Sequence, residues 1–169
     1  SKPYFCCFIV SNPKSKERNI FFELLQKEFG NVHSMGRWKK NIDIIIPDRV
    51  KNQDAYFSLI SKYKYMITFE NTSKPYYHTE KIWNALRSGT IPIYWGDPLI
   101  HEVFNTNCFI HIKKMDTRLQ QFNEFIKGIN IIKSINDNMY LNFFKNNVIL
   151  DAEKEDTRLL HTINEINKL

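Results

Sequence analysis

The chain has 169 residues, of which 43% are hydrophobic and 14% aromatic, and it carries a formal net charge of +6. This length favours one domain, and the apolar content excludes a disordered chain. The positive charge suits an anionic partner such as nucleic acid, a membrane surface or a phosphorylated small molecule. The basic residues are scattered and no basic, aromatic face stands out, so nucleic-acid binding is not expected. No apolar run reaches the roughly 18 to 20 residues of a membrane span.

Short apolar runs alternate with helical patterns along the chain. Strands are predicted at residues 4–10, from Val32, at the β-branched run 42–46, and at residues 65–69, 91–95 and 108–112. Helices are predicted at residues 15–29, 54–61, 79–88 and 97–104, and then at residues 117–133, 137–146 and 153–168. This alternation predicts an α/β fold, a Rossmann-like parallel sheet with helices on both faces. Residues 1–169 are interpreted as one domain, with a core at 1–115 and a helical C-terminal tail at 116–169.

The three cysteines, Cys6, Cys7 and Cys108, show no metal-binding spacing. Cys6 and Cys7 are adjacent within an apolar run, so we expect buried free thiols. Such thiols fit a reducing compartment.

Ligands of parallel α/β sheets bind beyond the carboxyl ends of the strands, which directs attention to the loops there. After residue 69 the chain turns and enters a helix near Thr79, so Glu80 and Lys81 lie in the first helical turn. A lysine at this place opposes the helix dipole, and an anionic ligand such as a phosphate would explain it. Glu80 has two interpretations, capping of the helix or binding of ribose hydroxyls.

Two further side chains are candidates on weaker grounds. Tyr77 is either packed in its loop or stacks on a ligand. Arg18 follows the first strand-end loop, and an arginine fork suits a diphosphate, although a lone helical arginine is usually a surface residue.

Several of these segments together resemble glycosyltransferase family 10, the α1,3/4-fucosyltransferases. The resemblance is carried, in order, by Val10-Ser11-Asn12-Pro13, Arg18-Asn19, Phe69-Glu70-Asn71, Tyr77-x-Thr79-Glu80-Lys81-Ile82, Ile91-Pro92-Ile93-Tyr94-Trp95-Gly96, Phe104-Asn105 and Phe109-Ile110. It covers residues 4–112 and only loosely the helices that follow.

The resemblance implies the C-terminal half of a two-domain GT-B glycosyltransferase that binds GDP-fucose. By this similarity Arg18 and Lys81 would neutralise the diphosphate and stabilise the leaving GDP, Glu80 would hold the ribose, and Asn71 and Tyr77 would complete the donor site. No DxD triplet occurs in the sequence, so we expect no metal clamp and no cofactor besides the donor substrate.

In the family the glycan acceptor site and the proposed general base belong to an N-terminal domain, which we expect to be absent from these 169 residues. The family's Gly-Gly pair is replaced here by Met35-Gly36. Neither a membrane stem nor paired cysteines are visible, so a cytoplasmic enzyme of microbial or viral type is expected. Two alternatives remain, a transferase for another GDP-sugar and a non-catalytic nucleotide- or glycan-binding module of a larger protein.

Overall fold

The computed structural model describes residues 2–150, which form a five-stranded, wholly parallel sheet with flanking helices. The strands are β1 (Tyr4–Phe8), β2 (Val32–Ser34), β3 (Tyr63–Ile67), β4 (Ile91–Tyr94) and β5 (Ile110–His111). The helices are α1 (Lys16–Phe29), α2 (Gln53–Ser61), α3 (Glu80–Arg87), α4 (Arg118–Ser134) and α5 (Asp137–Asn142). The predicted α/β fold is confirmed.

The strand order is β2-β1-β3-β4-β5, so the chain winds outward in one direction from β1 to β2 and in the other from β3 to β5. The winding therefore reverses between β1 and β3, where the loops that follow these two strands diverge. In open parallel sheets such a reversal point is the usual ligand-binding crevice. A ligand is therefore expected between residues 9–15 and 68–79, the loops that follow β1 and β3.

Alternate strand residues point to opposite sides of the sheet, and helices cover the apolar side chains on both faces. One face packs against α1 and α4 in a large cluster that includes Phe8, Phe21, Trp95 and Phe125. The other face packs against α2 and α3 through smaller clusters. Helix α4, the first helix of the predicted C-terminal tail, is therefore part of the core. The predicted helix at residues 153–168 lies outside the described residues.

The predicted strand at residues 42–46 is wrong. The outer edge of β2 is occupied by a side chain instead, because Asn41 accepts a hydrogen bond from the Ser34 N–H (2.7 Å) and donates one to the Val32 carbonyl (2.9 Å). The isoleucines that follow run along the α2 side of the sheet, partly buried at Ile42, Ile44 and Ile46, without forming a ladder. Their β-branched pattern reflects one-sided packing rather than strand pairing.

The predicted helix at residues 97–104 is also wrong in extent, since only one 3₁₀ turn, Ile100–Glu102, forms there. The carboxylate of Asp97 accepts a hydrogen bond from the Leu99 N–H (2.9 Å), as a turn residue would. Its same oxygen also accepts one from the Tyr76 N–H (2.8 Å) in a distant loop. Asp97 therefore joins two loops rather than starting a regular helix.

Candidate functional site

The sequence-predicted site residues lie at one edge of the sheet. Because all five strands are parallel, the loops after β1, β3 and β4 emerge at the same carboxyl edge. Arg18 lies in the first turn of α1, and Lys81 in the first turn of α3. The amino ends of these two helices flank the reversal point between β1 and β3. An anion at this edge would meet free N–H groups and positive charge together.

Arg18 is only 2% exposed, so it is not the surface residue that a lone helical arginine usually is. Its Nη1 donates to the Asn71 side-chain oxygen (2.6 Å) and its Nη2 to the Asn12 carbonyl (2.5 Å). The guanidinium thereby ties the loop after β3 to the loop after β1. Two predicted site residues, Arg18 and Asn71, are in direct contact.

The surroundings of Arg18 act on the pKa of its guanidinium in two directions. Burial lowers the pKa of the guanidinium from its usual value, and the nearby Glu70 carboxylate acts in the opposite direction. An arginine remains protonated at any physiological pH. The buried Nε has no hydrogen-bond partner among residues 2–150. The site thus holds a buried, permanent positive charge.

Lys81 is held at the amino end of α3 by two hydrogen bonds. Its Nζ donates to the Glu70 carboxylate and to the Thr79 hydroxyl, each at 2.9 Å. The Lys81 side chain stays 24% exposed. An ammonium group has three donors, so one remains for a ligand. Glu70 thus stabilises a lysine that opposes the helix dipole, and it occupies only one of the three N–H donors of that lysine.

Glu70 is a further candidate site residue, which the sequence interpretation did not single out. It lies three residues beyond the end of β3 at Ile67 and is completely buried. Its carboxylate is nevertheless surrounded by donors, the Thr79 N–H (2.8 Å), the Thr79 hydroxyl (2.8 Å) and Lys81. The signal was present in the sequence as one acidic residue directly after a predicted buried strand at a ligand-binding edge.

Glu80 points away from this cluster and is half exposed. Its carboxylate forms an ion pair with Arg49 Nη1 at 3.1 Å. The N-cap position of α3 is taken by Thr79, whose hydroxyl contacts Glu70 and Lys81 rather than the helix backbone. Glu80 is therefore not a side-chain cap, and its exposed carboxylate is accessible to a ligand.

Tyr77 lies in the loop that enters α3 and is half buried. Its N–H donates to the Lys74 carbonyl (3.2 Å). The preceding residue, Tyr76, has φ of 60°, an uncommon left-handed conformation for a side chain of this size. Asp97 holds this conformation in place, since it accepts from the Tyr76 N–H (2.8 Å) and contacts His78 Nδ1 (3.2 Å). These contacts constrain the backbone of the loop around Tyr76.

Positive charge continues along the edge beyond β5. A cavity of about 530 Å³ opens there and is lined by Pro98, His101, Thr106, His111, Lys113 and Lys114. Burial, together with the charge of Lys113, lowers the pKa of His111 to about 4, so this histidine is neutral at pH 7. Lys113 and Lys114 bring positive charge to this cavity.

Within the described part of the chain, no group of three or more His, Cys, Asp or Glu side chains is placed to hold a metal ion. No helix there has the length and apolar character needed to cross a membrane. Cys6, Cys7 and Cys108 are free and buried.

Comparisons with known proteins identify the family of this chain. The sequence model of glycosyltransferase family 10 (fucosyltransferase), C-terminal part, matches residues 1–165, and the chain belongs to this family. The chain is 33% identical over 145 residues to an α-(1,3)-fucosyltransferase of Helicobacter pylori, covering 85% of this chain and 27% of that protein. It is 28% identical over 159 residues to the GDP-fucose protein O-fucosyltransferase 3 of Mus musculus, covering 91% of this chain and 31% of the mouse protein.

A solved α1,3-fucosyltransferase with GDP-fucose superimposes with a TM-score of 0.72 at 30% identity. That match covers 86% of this chain and 39% of the solved chain. The chain thus spans about a quarter to a third of the curated relatives that it matches.

Proposed function

We propose that this chain is the donor-binding domain of a fucosyltransferase and binds GDP-fucose at the carboxyl edge of its sheet. The observation that carries the proposal is the position of Lys81, half-anchored at the amino end of α3 with one donor free. Membership of the family and similarity to a solved relative with GDP-fucose support the choice of donor.

In this proposal Lys81 contacts the diphosphate directly, and Arg18 adds a second positive charge from beneath the loop. Asn71, held by Arg18, and Tyr77 line the donor site. The exposed carboxylate of Glu80 accepts hydrogen bonds from the ribose hydroxyls. Arg49, which the sequence interpretation did not include, orients Glu80 through their ion pair.

The reaction that fits this donor is an inverting transfer. An acceptor hydroxyl attacks the anomeric carbon of the β-linked fucose, the bond to the diphosphate breaks, and the product is α-linked fucose with free GDP. Positive charge fixed where the leaving diphosphate gains negative charge lowers the barrier. Lys81 and Arg18 supply that charge from this chain.

The general base and the glycan acceptor site lie, in this proposal, outside these 169 residues. The share of the relatives' length that the chain spans supports this placement, since most of each relative has no counterpart here. A carboxylate in that remaining part would take the proton of the acceptor hydroxyl.

Calorimetric titration of the chain with GDP and GDP-fucose tests the donor assignment. Loss of a hydrogen bond to a charged group is worth about 1.5–3 kcal/mol, so Lys81→Met should weaken GDP binding about 10- to 100-fold. Lys62→Met is the matched control, because Lys62 is an exposed lysine that precedes β3 at the opposite edge. Equal affinities for the wild type and Lys81→Met would overturn the site. Tighter binding of GDP-mannose than of GDP-fucose would favour another GDP-sugar as donor.

A further inference from the structure

The charge of Glu70 is the least expected feature of the site. The side chain is completely buried, and burial of a carboxylate is unfavourable unless charged or polar partners surround it. Its Oε1 accepts from the Thr79 N–H (2.8 Å), and its Oε2 accepts from Lys81 (2.9 Å) and the Thr79 hydroxyl (2.8 Å). All of these partners belong to the amino end of α3.

The backbone and packing of Glu70 fix where this carboxylate lies. Its N–H donates to the Trp95 carbonyl at 2.9 Å, which extends the ladder between β3 and β4. Gly96 packs against its side chain so closely that a Cβ at position 96 would lie 2.5 Å from Glu70 Cγ. The Ser73 hydroxyl donates to the Gly96 carbonyl (2.6 Å) and closes the loop over this contact. Glu70 is therefore a rigid part of the sheet edge.

Glu70 also acts on the second positive charge of the site. Its carboxylate raises the pKa of Arg18 against the effect of burial, which means that the two groups interact electrostatically. Lys81 is hydrogen-bonded to the buried Glu70 carboxylate, whereas Arg18, whose own hydrogen bonds go to Asn71 and Asn12, interacts with it only through charge. Without the Glu70 carboxylate, the two cations would repel each other when no ligand is bound. The Lys81 side chain would then be free to turn toward solvent.

We propose that Glu70 is the positioning residue of the donor site and holds the Lys81 ammonium so that its remaining N–H faces the diphosphate. This proposal rests on the proposed function. Glu70 itself does not touch the nucleotide, because no part of its side chain is exposed. It acts through Lys81 and reduces the conformational freedom that this long side chain would lose on binding.

A purely electrostatic effect of Glu70 and a positioning effect on Lys81 predict opposite changes in GDP affinity when Glu70 is replaced. A buried negative charge near an anionic ligand weakens binding by repulsion, so removing it would tighten GDP binding if charge alone acted. If Glu70 acts by positioning Lys81, its removal weakens GDP binding. The amide of Glu70→Gln keeps the shape and the acceptor for the Thr79 N–H but loses the charge that holds the ammonium.

A double-mutant cycle with GDP titrations of the full chain tests this. We expect Glu70→Gln to lower GDP affinity roughly tenfold in the wild-type background and less than about twofold in the Lys81→Met background. If Glu70 only anchored the amino end of α3, Glu70→Gln would change the thermal stability equally in both backgrounds. It would then also change the GDP affinity by the same factor in both. An unchanged or raised affinity in Glu70→Gln, or the same loss in both backgrounds, would overturn the proposal.

Chemical labelling of lysines without nucleotide gives a second readout. Acylation of Lys81, followed by mass spectrometry with Lys62 as internal reference, should be faster in Glu70→Gln because the wild-type ammonium is tied to the carboxylate. Equal labelling in both proteins would contradict the hold on Lys81. If Glu70→Gln does not fold, Thr79→Val removes the other anchor of the same ammonium, and a comparable loss of GDP affinity is expected.

Different results would overturn the proposed function and the role of Glu70. Absence of GDP binding by the folded wild-type chain would overturn the proposed function and with it the role of Glu70 toward a diphosphate. Binding by the wild type with independent effects of the substitutions at Glu70 and Lys81 would overturn only the positioning role.

Discussion

Replacement of Arg18 by methionine tests whether this buried guanidinium joins the two loops of the site. The methionine keeps most of the apolar stem but loses the hydrogen bonds to the Asn71 side chain (2.6 Å) and the Asn12 carbonyl (2.5 Å). The protein should be destabilised, and residues 11–15 and 70–74 should become more mobile.

The expected loss of stability in Arg18→Met is the difference between opposing effects. Two hydrogen bonds from a charged donor are worth about 1.5–3 kcal/mol each. Asn12 and Asn71 are exposed residues, so water replaces part of what their oxygens lose. Removing a buried charge also returns the free energy that its desolvation costs. Glu70 keeps Lys81 as a partner. The expected net loss is about 1–3 kcal/mol.

Urea-induced unfolding of Arg18→Met and of Lys16→Met measures this difference. Lys16 is an exposed residue of the same helix, so its replacement should change stability by less than about 0.5 kcal/mol. Hydrogen exchange on the two loops locates the effect. If Arg18→Met unfolds within about 0.5 kcal/mol of the control, with unchanged exchange in both loops, Arg18 does not join them.

Two further predictions concern packing and pH. Gly36→Ala should lower the free energy of unfolding in urea by about 2–3 kcal/mol, because a Cβ there would lie 2.0 Å from the Val10 carbonyl oxygen. Gly128→Ala should cost less, because its one overlap below 3 Å is with Ile112 Cδ1 (2.1 Å), the end of a side chain that can shift. The pKa of His111 falls from an ordinary 6.5 to about 4 in the folded state, so the wild type should lose up to about 3 kcal/mol of stability as the pH falls from 6.5 to 4. His111→Gln should lessen this loss strongly, and His101→Gln only slightly, because the charge of His101 is a lesser cause of the lowered pKa of His111 than burial. Equal pH profiles in all three proteins would contradict the assignment.

The sequence predicts the alternation of strands and helices because apolar periodicity reports which face of an element is buried. Residues 42–46 mislead for a physical reason. A β-branched run says that a segment is extended and half buried, but not that a partner edge is free, and the side chain of Asn41 occupies that edge. The Asp97 turn misleads similarly, because its carboxylate serves a loop 21 residues away as well as its own.

The sequence predicts the location of the candidate site but not the hydrogen bonds and ion pairs between its residues. The helix end that bears Glu80 and Lys81 follows from local sequence and the topology rule for ligand sites. The contact between Arg18 and Asn71, 53 residues apart, is fixed only by the pairing of β1 with β3. The pairing of Lys81 with Glu70 and of Glu80 with Arg49 also depends on side-chain directions that periodicity does not give. Sequence therefore indicates which groups are present, and the fold decides which of them neutralise one another.

The most direct test of donor binding at this edge is an NMR titration of the ¹⁵N-labelled chain with GDP-fucose, read at three glycine amides. Gly96 follows β4 at the carboxyl edge, whereas Gly30 and Gly89 precede β2 and β4 at the opposite edge. We predict saturable shifts for Gly96 and for residues 70–81, with Gly30 and Gly89 unchanged. Shifts confined to Gly30 and Gly89, or no saturable shift at millimolar GDP-fucose, would contradict the account.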